Sequence, residues 1–321
     1  MRNQPPYTMH VLGASEVVAA LDFESTIEAL RQMFRGGCEL PVRHHHAVPV
    51  PGGRDATLLL MPAWQTGRHI GVKLVTVFPD NGGQSLPSVQ GTYLLLDGKT
   101  GRPLASMDAP ALTARRTAAA SALAAKYLAR PDAERLLMVG TGALASHLIE
   151  AHASVRPIKH VVVWGRNLDK AKKLAHRLSR RHLTLAATDD LASAVRGADI
   201  VSCATLARDP LIHGHWLKLG THLDLVGGFT PEMREADDEV VKRARVFVDT
   251  REGALKEAGD IVQPIRSGVL REDDVAGDLF DLTRGSRAGR RYYDQITMFK
   301  SVGTALEDLA AAQLALERVT T

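Results

Sequence analysis

The stretch from residue 136 to residue 145 constrains the fold of this chain more than any other. Four apolar residues, 136–139, predict a buried strand, and the pattern Gly140-x-Gly142-x-x-Ala145 follows it directly. In a dinucleotide-binding turn the first glycine allows a tight bend, the second lets backbone N–H groups approach the phosphates, and a small third residue lets helix and strand pack closely. An ordinary glycine-rich turn is the alternative, but strand, turn, helix and second strand follow in the required order. The backbone predicted to hold the phosphates comprises Gly140, Thr141, Gly142, Ala143 and Leu144.

Alternating strands and helices after this turn predict a Rossmann domain, that is, a doubly wound parallel sheet of α/β class. Its further strands are predicted at 158–164, 183–187, 198–204, 222–226, 246–249 and 296–299, and a helix is predicted to begin over 231–237. Ligands bind beyond the carboxyl ends of such strands. Cofactor contacts are therefore also predicted from the strand-end residues Ala204, Thr205, Val226 and Gly227.

The end of the second strand bears on the choice of cofactor. Gly165, Arg166 and Asn167 stand there, and the nearest carboxylate, Asp169, lies where the next helix would start. A carboxylate at the strand end would accept the ribose 2′-hydroxyl of NAD, whereas an arginine suits the 2′-phosphate of NADP. We therefore predict that Arg166 and Asn167 contact the cofactor and that NADP(H) is preferred over NAD(H).

The first part of the chain has a different texture. Short apolar runs alternate with glycine and proline turns over residues 41–108, which predicts an α+β unit with a largely antiparallel sheet. An amphipathic helix at 303–319 is expected to return to this unit.

Lys73 is the unusual residue of this part, because it interrupts a predicted strand, 70–78, that is apolar on both faces. A charge there is costly unless it is paired or meets a ligand anion. The alternative is a lysine that snorkels from an edge strand. Arg43 is a second candidate, since a guanidinium fork matches a substrate carboxylate. Residues 44–46 are three consecutive histidines, whose side chains would alternate between the faces of a strand, so no metal site is expected.

An alanine-rich helix is predicted at 113–130, with Arg115 and Arg116 in its first turn. The helix dipole disfavours cations there, so these arginines either answer an anionic ligand or are solvated at the surface.

Composition excludes several classes of protein. Forty basic and thirty-six acidic residues are interspersed, and only 5% of residues are aromatic, so a nucleic-acid-binding surface is not expected. Cys38 and Cys203 are too far apart for a CxxC pair, which fits a reducing compartment. We find no leader sequence and no apolar run long enough to cross a membrane, and so expect a cytoplasmic protein without membrane contact.

Six segments together carry a resemblance to a known family: GVK (71–73), LTARRTAA (112–119), GTGALA (140–145), WGRN (164–167), GGFTPEMRE (227–235) and SVG (301–303). In this order and spacing they resemble the ornithine cyclodeaminase/mu-crystallin family, over about residues 8 to 318.

The resemblance implies a homodimer whose subunits each have two domains. Residues 1–112 and 304–321 would form a substrate-binding and dimerisation domain, and residues 113–303 the dinucleotide-binding domain. Carried over by position, Lys73, Arg43 and Arg116 would hold the substrate carboxylate. Arg116 would also contact the cofactor, as would Thr113 and Ser301.

Phe229 is a departure from the cyclodeaminase pattern. In ornithine cyclodeaminases an aspartate stands at this position, handles the distal amine and takes part in proton transfer. The resemblance therefore implies the reductase branch, in which NAD(P)H reduces a small cyclic or acyclic imino acid, such as Δ1-pyrroline-2-carboxylate, to an L-amino acid. Two alternatives remain: an ornithine cyclodeaminase that forms proline and ammonia while recycling NAD, and a non-catalytic NADPH- or ligand-binding protein like mu-crystallin.

Overall fold

The computed structural model describes residues 8–84, 86–178 and 183–320. They divide into two compact units. The first contains the described residues up to Arg116 together with those from Ala305 onward, and the second spans Thr117–Thr304. No helix among the described residues is long and apolar enough to cross a membrane.

Strands and helices are numbered in chain order. The strands are β1 (His10–Leu12), β2 (His44–Val48), β3 (Ala56–Gln65), β4 (His69–Val77), β5 (Val89–Asp97), β6 (Pro103–Asp108), β7 (Arg135–Val139), β8 (His160–Trp164), β9 (Thr184–Thr188), β10 (Ile200–Cys203), β11 (His222–Leu225), β12 (Arg245–Val248), β13 (Gly277–Asp278) and β14 (Thr297–Lys300). The helices are α1 (Ala14–Ala20), α2 (Phe23–Gly36), α3 (Ala109–Leu128), α4 (Ala143–Val155), α5 (Leu168–Leu178), α6 (Leu191–Gly197), α7 (Asp238–Arg243), α8 (Arg251–Glu257), α9 (Gly259–Arg266), α10 (Leu279–Arg284) and α11 (Ala305–Thr320).

The first unit is built on a sheet in the order β1-β6-β5-β4-β3-β2. All neighbours are antiparallel except β1 and β6, which confirms the predicted largely antiparallel sheet. Helix α11 packs on one face of β3 and β4. Its close approach requires Gly71 on β4, where a Cβ atom would lie 3.1 Å from Leu309 and 1.8 Å from the hydroxyl of Tyr93.

Helix α3 begins earlier than its sequence predicts. It starts at Ala109, where the side chain of Asp108 accepts a hydrogen bond from the N–H of Ala111 at 2.8 Å. The placement of Arg115 and Arg116 in the first turn is therefore wrong, since both lie more than one turn from the helix N-terminus. A proline at position 110 fits the first turn of a helix and is the signal that the sequence carried for this start.

The second unit contains a parallel sheet in the order β13-β12-β14-β11-β10-β7-β8-β9. Every neighbouring pair is parallel, as the predicted Rossmann sheet requires. The chain goes from β7 outward to β8 and β9, and then crosses back to β10 on the other side of β7. This reversal makes the carboxyl ends of β7 and β10 the switch point, where ligands bind in such folds.

The helix predicted to begin over 231–237 is absent from the described structure, which has turns and loop there. Helix α7 starts at Asp238 and is capped by Asp237, whose carboxylate accepts from the N–H of Val240 at 3.0 Å. The backbone N–H groups of Glu235 and Ala236 instead donate to the side chain of Asp260, at 2.8 and 3.0 Å. These long-range bonds replace those of a helix.

Candidate active site

The glycine-rich turn has the geometry that its sequence predicts. Gly140 has φ of +117°, and a Cβ atom there would lie 2.5 Å from the carbonyl oxygen of Ala204, so a side chain is excluded on two grounds. Gly142 caps α4 without a side chain, and a Cβ atom there would meet nothing within 4 Å. The turn therefore leaves the backbone at the positive end of α4 accessible to an anion.

The residues after the turn line the same switch point. Ala143 and Leu144 form the first turn of α4, and the side chain of Thr141 packs at Gly165, where a Cβ atom would lie 2.8 Å from its methyl group. These positions are those of a phosphate-binding turn whose strand, turn and helix fit a dinucleotide.

The end of β8 carries an exposed arginine. Arg166 and Asn167 are both exposed, and the side chain of Asn167 accepts from the N–H of Lys170 at 3.0 Å, at the start of α5. No aspartate or glutamate occupies positions 164–167. The strand end is thus available to a phosphate or a ribose and presents a cation rather than a carboxylate.

The loops after β10 and β11 are joined by Glu235. Its carboxylate accepts from the N–H and hydroxyl of Thr205, at 2.8 and 2.7 Å, and from the N–H of Gly227 at 2.8 Å. Ala204 precedes Thr205, and buried Val226 precedes Gly227. Ser301 follows β14, is buried, and donates its N–H to Leu225 at 3.1 Å. The predicted strand-end residues 204, 205, 226 and 227, together with residue 301 from the family resemblance, thus follow three neighbouring strands of the sheet.

The first unit holds a buried cluster of charges centred on Asp308 of α11. Lys73 is 3% exposed, and its Nζ lies 2.7 Å from Oδ2 of Asp308. Arg116 is 5% exposed and contacts Oδ1 of Asp308 through Nε at 3.0 Å. Its Nη1 also lies 2.5 Å from Oε2 of Glu307. Asp308 therefore bridges two cations that stand on different elements, β4 and α3.

This geometry decides between the alternatives left by the sequence. Strand β4 lies between β3 and β5, so Lys73 does not snorkel from an edge strand. Arg116 is not solvated, because Glu307 and Asp308 hold it. Arg115 is buried as well, donates to the carbonyl of Leu21, and lies 3.7 Å over the ring of Phe23, which gives it a structural role.

Burial, assisted by the positive charges of Arg116 and Arg43 and opposed by Asp308, lowers the pKa of Lys73 from 10.5 to about 8. Burial alone would raise the pKa of Asp308, but Lys73 and Arg116 bring it below its ordinary value. An ammonium has three N–H donors. No ion-pair partner of Lys73 other than Asp308 lies within the described ranges, so the buried ammonium has donors left for an anionic ligand.

The first unit also contains the other residues that the sequence analysis considered there. Half-buried Arg43 precedes β2 and is near enough to Lys73 to affect its pKa. Thr113 is half-buried on α3, one turn before Arg116. The three histidines 44–46 lie exposed on β2, and the described residues contain no group of three or more histidine, cysteine or acidic side chains that could hold a metal ion.

Sequence reasoning missed the carboxylates that organise both units. Glu307 and Asp308 occupy the first turn of an amphipathic helix, where acidic residues are ordinarily favourable and solvated. Glu235 lies in a segment interpreted as helix. The one available signal was charge balance: a lysine such as Lys73, on a strand that is otherwise apolar on both faces, requires a buried carboxylate or an anionic ligand.

The fold is that of an α/β protein with a Rossmann-type parallel sheet and glycine-rich turn and, in a separate unit, a buried cluster of Lys73, Arg116, Glu307 and Asp308. The model of the ornithine cyclodeaminase/mu-crystallin family matches residues 9–321, and the chain belongs to that family. It is 42% identical over 302 residues to the Delta(1)-pyrroline-2-carboxylate reductase of Paracoccus denitrificans, covering 94% of each chain.

Two solved structures resemble it over nearly their whole length. The Thermococcus litoralis Delta(1)-pyrroline-2-carboxylate reductase, in complex with NADH and L-proline, has a TM-score of 0.90 and 34% identity, with 97% of this chain and 98% of that one covered. An archaeal alanine dehydrogenase dimer with bound NAD has a TM-score of 0.88 and 30% identity, with 97% and 96% covered.

Proposed function

We propose that this protein reduces a small cyclic or acyclic imino acid, such as Δ1-pyrroline-2-carboxylate, to the corresponding L-amino acid with a nicotinamide cofactor. The observation that carries the proposal is the buried Lys73 ammonium, fixed by Asp308 beside Arg116 and retaining donors for an anion. The names of the relatives support the same reaction, since one is a reductase of this imine and another is bound to NADH and L-proline.

The substrate carboxylate is the anion that the cluster would bind. Lys73 and Arg116 supply charge-assisted donors, and Arg43 adds a guanidinium that matches a carboxylate geometrically. Because the two cations are held by Asp308, little side-chain freedom remains to be lost when the substrate binds.

The residues of the second unit fit a nicotinamide dinucleotide. Gly140, Gly142 and the start of α4 would hold the pyrophosphate, and the loops carrying Thr205 and Gly227 would border the nicotinamide. When bound, the cofactor supplies a hydride to the imine carbon. The protein orients the substrate for that transfer and provides the proton that the imine nitrogen needs.

Lys73 is the proton donor that the cluster offers. A lysine with a pKa of about 8 is largely protonated at neutral pH yet is a stronger acid than an ordinary lysine. Its ammonium would give one proton to the imine nitrogen, while hydride adds to carbon, and would regain the proton from solvent. The proton and the hydride together convert C=N to CH–NH.

Arg166 supports a preference for NADPH over NADH. It stands exposed at the end of β8, where no carboxylate competes for the ribose. In Arg166→Asp the cation is replaced by an acceptor for a 2′-hydroxyl, so KM for NADPH should rise about tenfold or more while NADH is used at least as well as before.

A homodimer is supported by the face of the antiparallel sheet that lies opposite α11. Facing residues Pro62, Val72 and Leu94 pair across β3, β4 and β5 on the face opposite α11. Leu94 is 36% exposed, and its two neighbours remain half-buried. An exposed apolar patch on a sheet is typical of a subunit interface, and the archaeal relative is described as a dimer.

Phe229 speaks against deaminating cyclisation. Phe229 is 47% exposed and has no carboxylate that could pair with a distal ammonium or accept a proton. We therefore do not propose ornithine as the substrate.

The test is steady-state oxidation of NADPH and NADH with cyclic imino acids, and with pyruvate plus ammonia, followed by nicotinamide absorbance. Oxidation by the wild type, abolished in Lys73→Ala and retained in Lys99→Ala, supports the proposal; Lys99 is an exposed lysine in a turn. Absence of oxidation with every imine contradicts it and leaves the ligand-binding alternative. Proline and ammonia released from ornithine would establish the cyclodeaminase alternative.

A further inference from the structure

Glu235 is a fully buried carboxylate that contacts two loops at the carboxyl edge of the parallel sheet. Oε1 accepts both the N–H and the hydroxyl of Thr205, and Oε2 accepts the N–H of Gly227. Thr205 follows β10 and Gly227 follows β11, and these strands are neighbours in the sheet. One side chain thus holds two adjacent strand-end loops at a fixed separation.

The backbone of Glu235 is held in turn by Asp260. Oδ1 of Asp260 accepts from the backbone N–H of Glu235, and its Oδ2 lies 3.2 Å from Nζ of Lys300. All three side chains are completely buried. Lys300 ends β14, the strand on the other side of β11, so the chain of contacts spans three strand ends.

The two loops lie close to each other and to the glycine turn. A Cβ atom at Gly227 would lie 2.1 Å from the carbonyl oxygen of Thr205 and 2.4 Å from Oε1 of Glu235. On the other side, the carbonyl oxygen of Ala204 would lie 2.5 Å from a Cβ atom at Gly140, in the phosphate-binding turn. Glu235 is therefore connected to the glycine turn through Thr205 and Ala204.

A carboxylate is the side chain that these contacts require. Three donors converge on its two oxygens, and an ionised carboxylate is an acceptor only. A glutamine would place an NH2 group against the N–H of either Thr205 or Gly227, and so leave one loop without its partner. Burial raises the pKa of Glu235, whereas Lys300 opposes the change.

We propose that Glu235 is a positioning residue that, backed by Asp260 and Lys300, fixes the loops after β10 and β11 in the arrangement that binds the nicotinamide half of the cofactor. This inference rests on the proposed function only for the identity of the cofactor. It predicts an effect on nucleotide binding, which can be measured without turnover.

The test is NADPH titration of the whole protein by calorimetry, with thermal unfolding measured in parallel. Glu235→Gln should weaken NADPH binding by about tenfold or more, as expected when hydrogen bonds to a charged acceptor are lost. The matched control is Asp224→Asn. Asp224 is an equally buried carboxylate on β11, but it accepts from Ser202 at 2.6 Å and pairs with His152 at 3.1 Å, inside the unit rather than at the loops. Asp224→Asn should lower the unfolding temperature yet bind NADPH within about twofold of the wild type.

A second variant, Thr205→Val, keeps the test decisive if Glu235→Gln does not fold. It removes the hydroxyl donor and leaves the buried glutamate in place, and should weaken NADPH binding about threefold or more. The inference is overturned if the folded Gln variant binds NADPH like the wild type, or if Asp224→Asn loses as much affinity. If instead the wild type binds NADPH tightly but reduces no imine, the proposed function fails. The NADPH affinities of the variants relative to the wild type would still test the role of Glu235.

Discussion

At the residue scale, the first unit depends on a buried group of opposite charges. Lys73 and Arg116 have almost no solvent to stabilise them, so Asp308 and Glu307 must do so. A buried ion pair adds little net stability over apolar residues, but breaking one is costly because a bare charge remains. We interpret the cluster as one that holds cations in place for a substrate.

Asp308→Asn tests this interpretation. Removing the charge leaves Lys73 without its counter-ion, so the variant should lose ~3–5 kcal/mol of unfolding free energy, measured with urea. The pKa of Lys73 should fall further, since Asp308 raises it. Asp80→Asn, which removes an exposed carboxylate paired with Arg54, is the matched control and should unfold like the wild type. Equal stability of the two variants would contradict the account.

The pH dependence of reduction follows from Lys73. In the proposed reaction the protonated form of Lys73 binds the carboxylate and donates the proton, so kcat/KM for the imine should fall as pH rises through about 8. Lys73→Arg keeps the positive charge at all these pH values and should lose that decline, at a lower overall rate. A decline at the same pH in both proteins would instead assign it to the substrate.

At the element scale, the strand, turn and helix around Gly140 were predictable, because local chemistry fixes them. The pattern predicted a strand at 136–139 and a helix after the turn, and the structure has β7 and α4 there. A glycine turn and an apolar strand can be recognised without knowledge of a distant partner. The segment 231–237 was not predictable. Its proline and acidic residues favour a helix start. However, Asp260, which lies twenty-five residues after Glu235, accepts hydrogen bonds from the backbone N–H groups of this segment, and a local pattern cannot reveal so distant a partner.

Substitutions at the two glycines of the turn should affect stability and nucleotide binding differently. Gly140→Ala places a side chain at φ of +117° and against Ala204, so it should cost ~1–3 kcal/mol of stability as well as NADPH affinity. Gly142→Ala has φ of −77° and open space, so it should unfold like the wild type while binding NADPH more weakly. Thermal unfolding and nucleotide titration measure both. Loss of stability in Gly142→Ala, or none in Gly140→Ala, would contradict this division.

At the scale of the whole molecule, the two faces of strand β4 need separate explanations. Gly71 and Lys73 face α11, whereas Val72 and its cross-strand neighbours Pro62 and Leu94 lie on the opposite face of the sheet. The sequence predicted a strand covered on both sides. The chain itself supplies α11 for one side, and a second copy is our proposal for the other.

Charge placed on the face of the sheet opposite α11 should dissociate the proposed dimer. Leu94→Lys puts an ammonium into the proposed interface, so the variant should sediment as a monomer where the wild type sediments as a dimer. Val11→Lys, at an exposed position of edge strand β1, is the matched control and should leave the mass unchanged. A monomeric wild type, or a dimeric Leu94→Lys, would contradict this assignment of the interface.

The central claim is that hydride passes from a nicotinamide cofactor to the carbon of an imino acid held by Lys73 and Arg116. The most direct measurement is the mass of the proline formed from Δ1-pyrroline-2-carboxylate with NADPH that carries deuterium at the transferable position of C4. The account predicts proline with a single deuterium at its α-carbon, and none from Lys73→Ala. Proline without deuterium, or no proline at all while the nucleotide is bound, would contradict it.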